Sequence, residues 1–398
     1  MIIDIPIIKV LYRETPVGTL QQDPASGGCV FEYDRSWISE GFSISPTELP
    51  LQSGLFYADK EKFNGSFAVF EDSIPDGYGL YLMERILNRE GMSLRDLTPL
   101  QRLSIIGTSG MGALSYLPMM PGIQHQKELK GIERLDLIQE EALKVLSEKS
   151  AGDADLLYYN SANSGGARPK AMFRSSDGSH WMVKFRHTYD PLDIGQGEYL
   201  YMKTARECGV AIPRIALIKD KYFAIERFDY DANGKKLHVL SSAALLKTDF
   251  RNLDVDYTNL LALTGYLTQD PVQVEEMFRR MILNLVADNK DDHAKNFSFV
   301  CREGTWSLAP AYDITYSPSG SRGEHATSLF YKGNPSLDDV LKAGVGIRIP
   351  RERCMEIIKK VESVCKKNLP VVRKLSLSEQ LTPTTKPAHT KKKTGPKL

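Results

Sequence analysis

The chain has 398 residues, 42% apolar and 25% charged, with 51 Lys and Arg against 50 Asp and Glu. That is the make-up of a globular protein long enough for about two or three domains, and the near-even charge argues against a broadly basic nucleic-acid binder. Cys29, Cys208, Cys301, Cys354 and Cys365 are scattered and form no Cys-x-x-Cys pair, which fits reduced thiols better than a disulfide framework or a zinc site.

The opening stretch, Met1 to Leu20, is apolar but broken by Asp4, Lys9, Arg13 and Glu14. It lacks the basic start and small-residue cleavage site of a signal peptide. No uncharged apolar run is long enough for a membrane span, so a cytoplasmic protein without a membrane partner is expected. The first residues read as short strands, IIKVLYR and CVFEYD, with a turn near TPVG between them. LQRLSIIGTSGMGALSYLP reads as helix, Gly-rich turn and short strand. A polar, helix-prone run follows, with apolar residues at Leu135, Leu137, Ile138 and Leu143. A domain boundary falls near residue 125.

Next, the Ser-, Asn- and Gly-rich loop SANSGGARPK runs into KAMFR, and the turn SSDG sends the chain back as HWMVKFR, a β-hairpin. GQGEYLYMKTARECGV reads as a helix with Gly209 near its end, and RIALI and YFAIERFD as two further strands. Val274, Met277, Phe278, Met281, Ile282 and Leu285 have the spacing of a buried helical face. FSFV and WSLAPAYDI form a hairpin-like pair, and RERCMEIIKKVESVCKKN a last amphipathic helix. The end, TPTTKPAHTKKKTGPKL, has no acidic residue and almost no large apolar one; it reads as a disordered tail. Its Lys391, Lys392, Lys393 and Lys397 read as solvated, with nucleic-acid phosphates as the alternative contact.

The polar groups crowd into LVADNKDDHAKNFSF. Asp291 and Asn296 stand five apart on a loop after a buried-looking helix, and Asp313 follows at a strand end in PAYDI. Phosphoryl transfer needs this inventory: one carboxylate to face the acceptor hydroxyl, and an amide oxygen and a second carboxylate to hold Mg²⁺ against the phosphates. Protein kinases space their base and metal-binding Asn as Asp-x-x-x-x-Asn, with the metal-binding Asp further on. The upstream parts agree. Gly165 and Gly166 allow backbone N–H groups to bend around phosphates. Lys184 lies on the second hairpin strand, Glu198 on the helix after it, and the AIERF strand ends where a backbone would meet an adenine edge.

DDHAKNFSF followed by LAPAYDI, with GGARPKA upstream, resembles the HipA-like kinases, the toxin components of bacterial HipBA toxin–antitoxin pairs. SIPDGYGLYLMERIL and IGTSGMGALSYLP look like that family's N-terminal subdomain, and the resemblance extends to about residue 370. It implies an α+β, two-lobed, protein-kinase-like fold with a mostly β N-terminal subdomain. The expected segments are that subdomain over 1–125, a small-lobe-like region with the Gly-rich loop over 126–230, a mostly helical lobe over 231–375 and the tail over 376–398.

The resemblance also implies roles. Asp291 would be the catalytic base, and Asn296 and Asp313 would bind Mg²⁺. Lys184 would contact the ATP phosphates, and the backbone of Gly165, Gly166, Ala167, Arg168 and Lys170 would close over them. Glu226 and Phe228 would flank the adenine. His293 and Lys295 would lie near the nucleotide. Asp292 is read as solvated and Asp288 as capping the helix end or the loop. A serine in the Gly-rich loop is commonly autophosphorylated in this family; here the matching position is Asn163, which makes its neighbours Ser161 and Ser164 the candidates. The activity implied is an ATP- and Mg²⁺-dependent serine/threonine protein kinase that inhibits growth. Its partners would be a HipB-like helix-turn-helix antitoxin, DNA through that antitoxin, and a protein substrate linked to translation. The alternatives are a small-molecule kinase and a co-repressor acting through an antitoxin–operator complex.

Overall fold

The computed structural model describes residues 4–120, 129–130, 132–147, 153–161, 165–252, 254–320 and 323–375. The basic tail, Asn163, Ser164 and the boundary near residue 125 lie outside them. Among the described residues no helix is long and apolar enough to cross a membrane.

Alternating side chains build the first sheet. In β1 (Ile7–Tyr12), Ile8, Val10 and Tyr12 face inward while Ile7 and Lys9 face solvent, the period-two pattern of a sheet covered on one side. β1 is followed by β2 (Thr15–Gln22), β3 (Cys29–Tyr33), α1 (Arg35–Glu40), β4 (Leu55–Tyr57), α2 (Ala68–Glu71), α3 (Gly77–Arg89), α4 (Pro99–Ile106) and β5 (Leu114–Leu117). The strands run in the order β4-β3-β2-β1-β5, all antiparallel. Phe67 packs edge to face on Phe31 and Phe70, and Phe31 and Phe70 meet at a tilt, between sheet and helices. The turn expected near TPVG lies earlier. Arg13 takes a left-handed φ of 58°, and TPVG is part of β2, with Pro16 opposite Leu11 beside a register shift. Pro and Gly mark turns only where the ladder does not need the residues.

The second unit consists of β6 (Leu129–Lys130), α5 (Leu135–Ser147), α6 (Ala154–Ser161), β7 (Lys170–Arg174), β8 (His180–Lys184), α7 (Ile194–Glu207), β9 (Ile215–Ile218) and β10 (Tyr222–Glu226). Its sheet order is β6-β7-β8-β10-β9. A Cβ at Gly195 would overlap the Lys221 carbonyl, so glycine lets α7 lie close against the β9–β10 turn.

The third unit is mostly helical: β11 (His238–Ser241), α8 (Ser242–Leu245), α9 (Tyr257–Thr268), α10 (Pro271–Val286), β12 (Ser298–Arg302), β13 (Thr305–Leu308), α11 (Leu337–Gly346) and α12 (Arg351–Asn368). β11, β12 and β13 form an antiparallel sheet. Asp270 caps α10 by accepting from the Val272 N–H, with Pro271 at the first helical position, a strong start signal. Met277, Phe278, Met281, Ile282 and Leu285 bury its inner face. The whole is a two-lobed α+β fold preceded by a β-rich N-terminal region.

Candidate active site

α10 delivers the polar loop. Ala287 ends the helix, and Asp288 takes a left-handed φ of 53°, the usual way to turn a chain off a helix C-terminus. Its carboxylate pairs with Lys290 at 3.2 Å, so Asp288 does sit at the helix end.

Asp292, expected to be solvated, is fully buried. Its carboxylate accepts from Tyr257 Oη at 2.6 Å, His325 Nδ1 at 2.9 Å and the Thr327 N–H at 3.2 Å. Its carbonyl accepts from the Thr327 hydroxyl. This network bolts the loop to α9 and to the 325–327 segment, because a buried carboxylate must have its oxygens satisfied. Asp292→Ala would strand Tyr257 and His325, so urea unfolding should show a loss of about 3 kcal/mol.

Pinning Asp292 leaves its neighbour outward. Asp291 keeps 61% of its side chain open, and its backbone carbonyl accepts from Asn296 Nδ2 at 2.7 Å. Protein on its other sides raises its carboxyl above the usual range by desolvation; Asp313 and Asp292 add to this, while His293 and Arg168 oppose it. His293 Nε2 is 3.8 Å from Asp291 Oδ1, and its ring rests on Phe250 with centroids 5.2 Å apart. His293 Nδ1 is buried without a hydrogen-bond partner among the described residues.

Lys184 on β8 donates to both Glu198 on α7 and Asp313. Glu198 is 2% exposed. Burial alone would push the Lys184 ammonium down, but the two carboxylates hold it well above the ordinary lysine range. Asp313 is held below its ordinary range despite desolvation, by Lys184 and then Lys170. Burial raises Glu198. Asp313 also has a left-handed φ of 55°, an uncommon state for a non-glycine residue and a mark of sites where geometry is over-determined.

The Gly-rich loop adjoins the same group, since Lys170 at its end acts on Asp313. Arg168 forks onto Asp190 at 2.9 and 3.0 Å. Lys170, 5% exposed, donates to the Gly165 carbonyl. Desolvation, aided by the Lys184 charge, brings it down to about 8. Gly165, Gly166 and Ala167 are exposed. Ser161 ends α6 at 2% exposure, with its hydroxyl donating to Tyr158 O at 3.3 Å; as placed, a phosphate donor cannot reach it.

The expected adenine residues divide. The Glu226 carboxylate is taken by Arg214 in a fork of two 2.7 Å bonds, and its N–H donates to Arg214 O at 2.9 Å. Phe228 stacks on Tyr312, centroids 5.5 Å apart, and Tyr312 Oη donates to Lys295 O at 2.6 Å. Phe228 thus adjoins both Asp313 and the loop.

One residue went unrecognised. Asp76, the residue before α3, accepts from the Gly166 N–H and from Lys295 Nζ, the latter at 3.0 Å. The available signal was an Asp-Gly pair at a helix start within IPDGYG, which reads simply as a cap.

The loop, Lys184 and Asp313 together can hold a polyphosphate and its cation. Asn296 uses its amide N–H on the Asp291 carbonyl, and its Oδ1 has no partner among the described residues. With the Asp313 carboxylate it offers hard oxygen donors. No cluster of three or more His, Cys, Asp or Glu suited to a metal exists among the described residues. This donor set fits a cation such as Mg²⁺, which keeps most of its shell as water and phosphate.

Residues 8–117 match the sequence model of the HipA N-terminal domain, and residues 162–369, more than half the chain, that of the HipA-like C-terminal domain. A Haemophilus influenzae protein named as a presumptive kinase is 28% identical over 144 residues, 31% of this chain and 42% of that protein. The presumptive kinase Y4dM of Sinorhizobium fredii is 23% identical over 229 residues, 50% of this chain and 55% of that one. The chain spans about half the length of these curated relatives. Among solved structures, the complex of Shewanella oneidensis MR-1 toxin–antitoxin proteins HipA and HipB with operator DNA contains a chain that superposes with a TM-score of 0.69. The match covers 90% of this chain and 89% of that one at 18% identity, so the likeness is one of fold.

Proposed function

The chain belongs to the HipA-like family, and from that premise we propose that it is an ATP- and Mg²⁺-dependent serine/threonine protein kinase acting as a growth-inhibiting toxin. The observation that carries the reading is Lys184 held between Glu198 and Asp313 opposite an outward-facing Asp291. An outward carboxylate alone is ordinary; beside a buried lysine–carboxylate pair and a Gly-rich loop it is a phosphoryl-transfer arrangement.

In this reading Asp291 accepts the proton of the acceptor hydroxyl as its oxygen bonds to the γ-phosphorus, and the bond to the β–γ bridging oxygen breaks to release ADP. Lys184 turns its ammonium to the phosphates, and Gly165 to Lys170 cover them. Asn296 and Asp313 would hold Mg²⁺, which would neutralise phosphate charge. Glu226 and Phe228 flank the adenine, with the Glu226 carboxylate held by Arg214. His293 and Lys295 line the phosphate side. A HipB-like helix-turn-helix antitoxin, contacting operator DNA, would restrain the toxin, and the acceptor would be a protein of the translation apparatus in the cytoplasm. Ser164 becomes the first candidate for self-phosphorylation, since Ser161 is enclosed.

Two groups set the expected pH dependence of kcat/KM for ATP, which reports the free enzyme. Asp291 must be ionised, and its carboxyl is raised; activity therefore falls with decreasing pH at values above the ordinary carboxylate range. Lys170 must be charged, and its ammonium is lowered to about 8; activity falls again as pH rises through that value. Steady-state rates across the range should trace a bell, and Lys170→Arg should move only the alkaline side outward. The stability linkage of Lys170 has its own sign: between about 8 and the ordinary lysine value the unfolded chain binds more protons, so its contribution to stability rises with pH there.

The cellular test is induced expression in a bacterial host. Wild type should arrest growth, Asp291→Ala should not, and co-expressed helix-turn-helix antitoxin should lift the arrest. Arrest by Asp291→Ala as strong as by wild type would contradict the reading.

A further inference from the structure

Asp76 belongs to the N-terminal domain, yet its carboxylate meets the Gly-rich loop and Lys295 of the 291–296 loop. It precedes α3 but its side chain makes no capping hydrogen bond with that helix. An aspartate at this position ordinarily caps; here it is diverted to the Gly166 N–H, 90 residues on in sequence, and to Lys295, 219 residues on. It is 6% exposed. Desolvation raises its carboxyl, but Lys295 and the Gly166 N–H outweigh that and hold it below the usual range. The backbone on its C-terminal side makes the reciprocal bond: the Tyr78 N–H donates to the Gly166 carbonyl at 3.0 Å. Both polar groups of one Gly-loop residue are therefore held by the start of α3.

The space around this contact is shaped for it. A Cβ on Gly77, whose φ is +48°, would run into the Gly166 carbonyl, and a Cβ on Gly165 would lie 2.8 Å from Asp76 Oδ1. Only glycines allow this approach without displacement. Lys295, the third party, sits in the catalytic loop beside Asn296 and over the Phe250 ring at 4.9 Å.

We propose that Asp76 is a positioning residue through which the N-terminal domain clasps the Gly-rich loop to the catalytic loop, keeping the nucleotide cleft in its binding-competent form. The inference rests on the kinase reading for its catalytic consequence, although the clasp itself does not. A protein whose competent form is populated only in part binds its ligand more weakly by that fraction, while turnover at saturation is unchanged. Loss of the clasp should therefore raise KM for ATP and spare kcat.

The experiment pairs two readouts on full-length Asp76→Ala, with Asp76→Asn as the milder variant should the first fold poorly. In nucleotide-free protein, hydrogen exchange in the peptide containing Gly166 should speed up about 10-fold, the equivalent of one charged hydrogen bond, while peptides of α10 and of the rest of α3 exchange as in wild type. With Mg-ATP, KM should rise about 10-fold and kcat should stay within about twofold. Unchanged exchange at the loop would overturn the clasp. Faster exchange spread across the N-terminal domain, or kcat and kcat/KM falling together, would reduce Asp76 to a structural support and overturn it equally. If wild type turns over no ATP, the kinase reading fails, and the exchange measurement still decides the clasp.

Discussion

With Asp291 as the proposed general base, Asp291→Asn should lower the rate of phosphate transfer about 1,000-fold and leave nucleotide affinity within about threefold. The asymmetry follows from the loop. Asn296 holds Asp291 by its backbone carbonyl, not its side chain, and Asp292 anchors the next residue from below through three acceptor contacts. The amide therefore replaces the carboxylate without moving Asn296 or Asp313, and what is lost is the acceptor for the hydroxyl proton. Steady-state kinetics with ATP varied would separate the two effects. A variant that loses affinity and rate together would place Asp291 in nucleotide binding instead.

Lys184→Met lowers stability by about 3 kcal/mol as well as abolishing transfer. The methionine fills a similar volume, so the effect is electrostatic: Glu198 and Asp313 lose the cation that bridges them, and the weaker fields of Lys170 and Arg168 remain. In wild type, the depressed Asp313 contributes stability above the ordinary carboxylate range and loses it as pH falls through its folded value. Lys184, raised, contributes fully below the ordinary lysine range and loses its contribution only in strong alkali. In the variant the two carboxylates take up protons more readily, so its deficit shrinks as pH falls. Urea unfolding at neutral and mildly acidic pH should show the two proteins converging. An equal deficit at both pH values would mean a packing defect.

The parts legible in the sequence were those whose signals are local. The β7–β8 hairpin carries its own turn, α10 carries its own apolar face, and Asp291, Asn296 and Asp313 stand on one connected stretch. Asp292 defeated the same reading because its partners, Tyr257, His325 and Thr327, come from α9 and a later segment; an acid in a polar loop looks solvated until those are known. Asp76 was hidden for the same reason, since its partners lie 90 and 219 residues away and its local context advertises a cap. That the Glu226 carboxylate goes to Arg214 is likewise invisible in the sequence, because cross-strand pairing makes the choice. TPVG misled because Pro and Gly punctuate turns on average, while here Arg13 and Glu14 turn the chain.

The central claim is transfer of phosphate from ATP to protein hydroxyls. The most direct measurement incubates wild type and Asp291→Asn with Mg²⁺, γ-labelled ATP and a bacterial lysate, then separates acid-stable protein-bound label from small molecules. Label on protein serine or threonine with wild type, absent with Asp291→Asn, is the predicted result. Label confined to small molecules, or equal in the two samples, would contradict it.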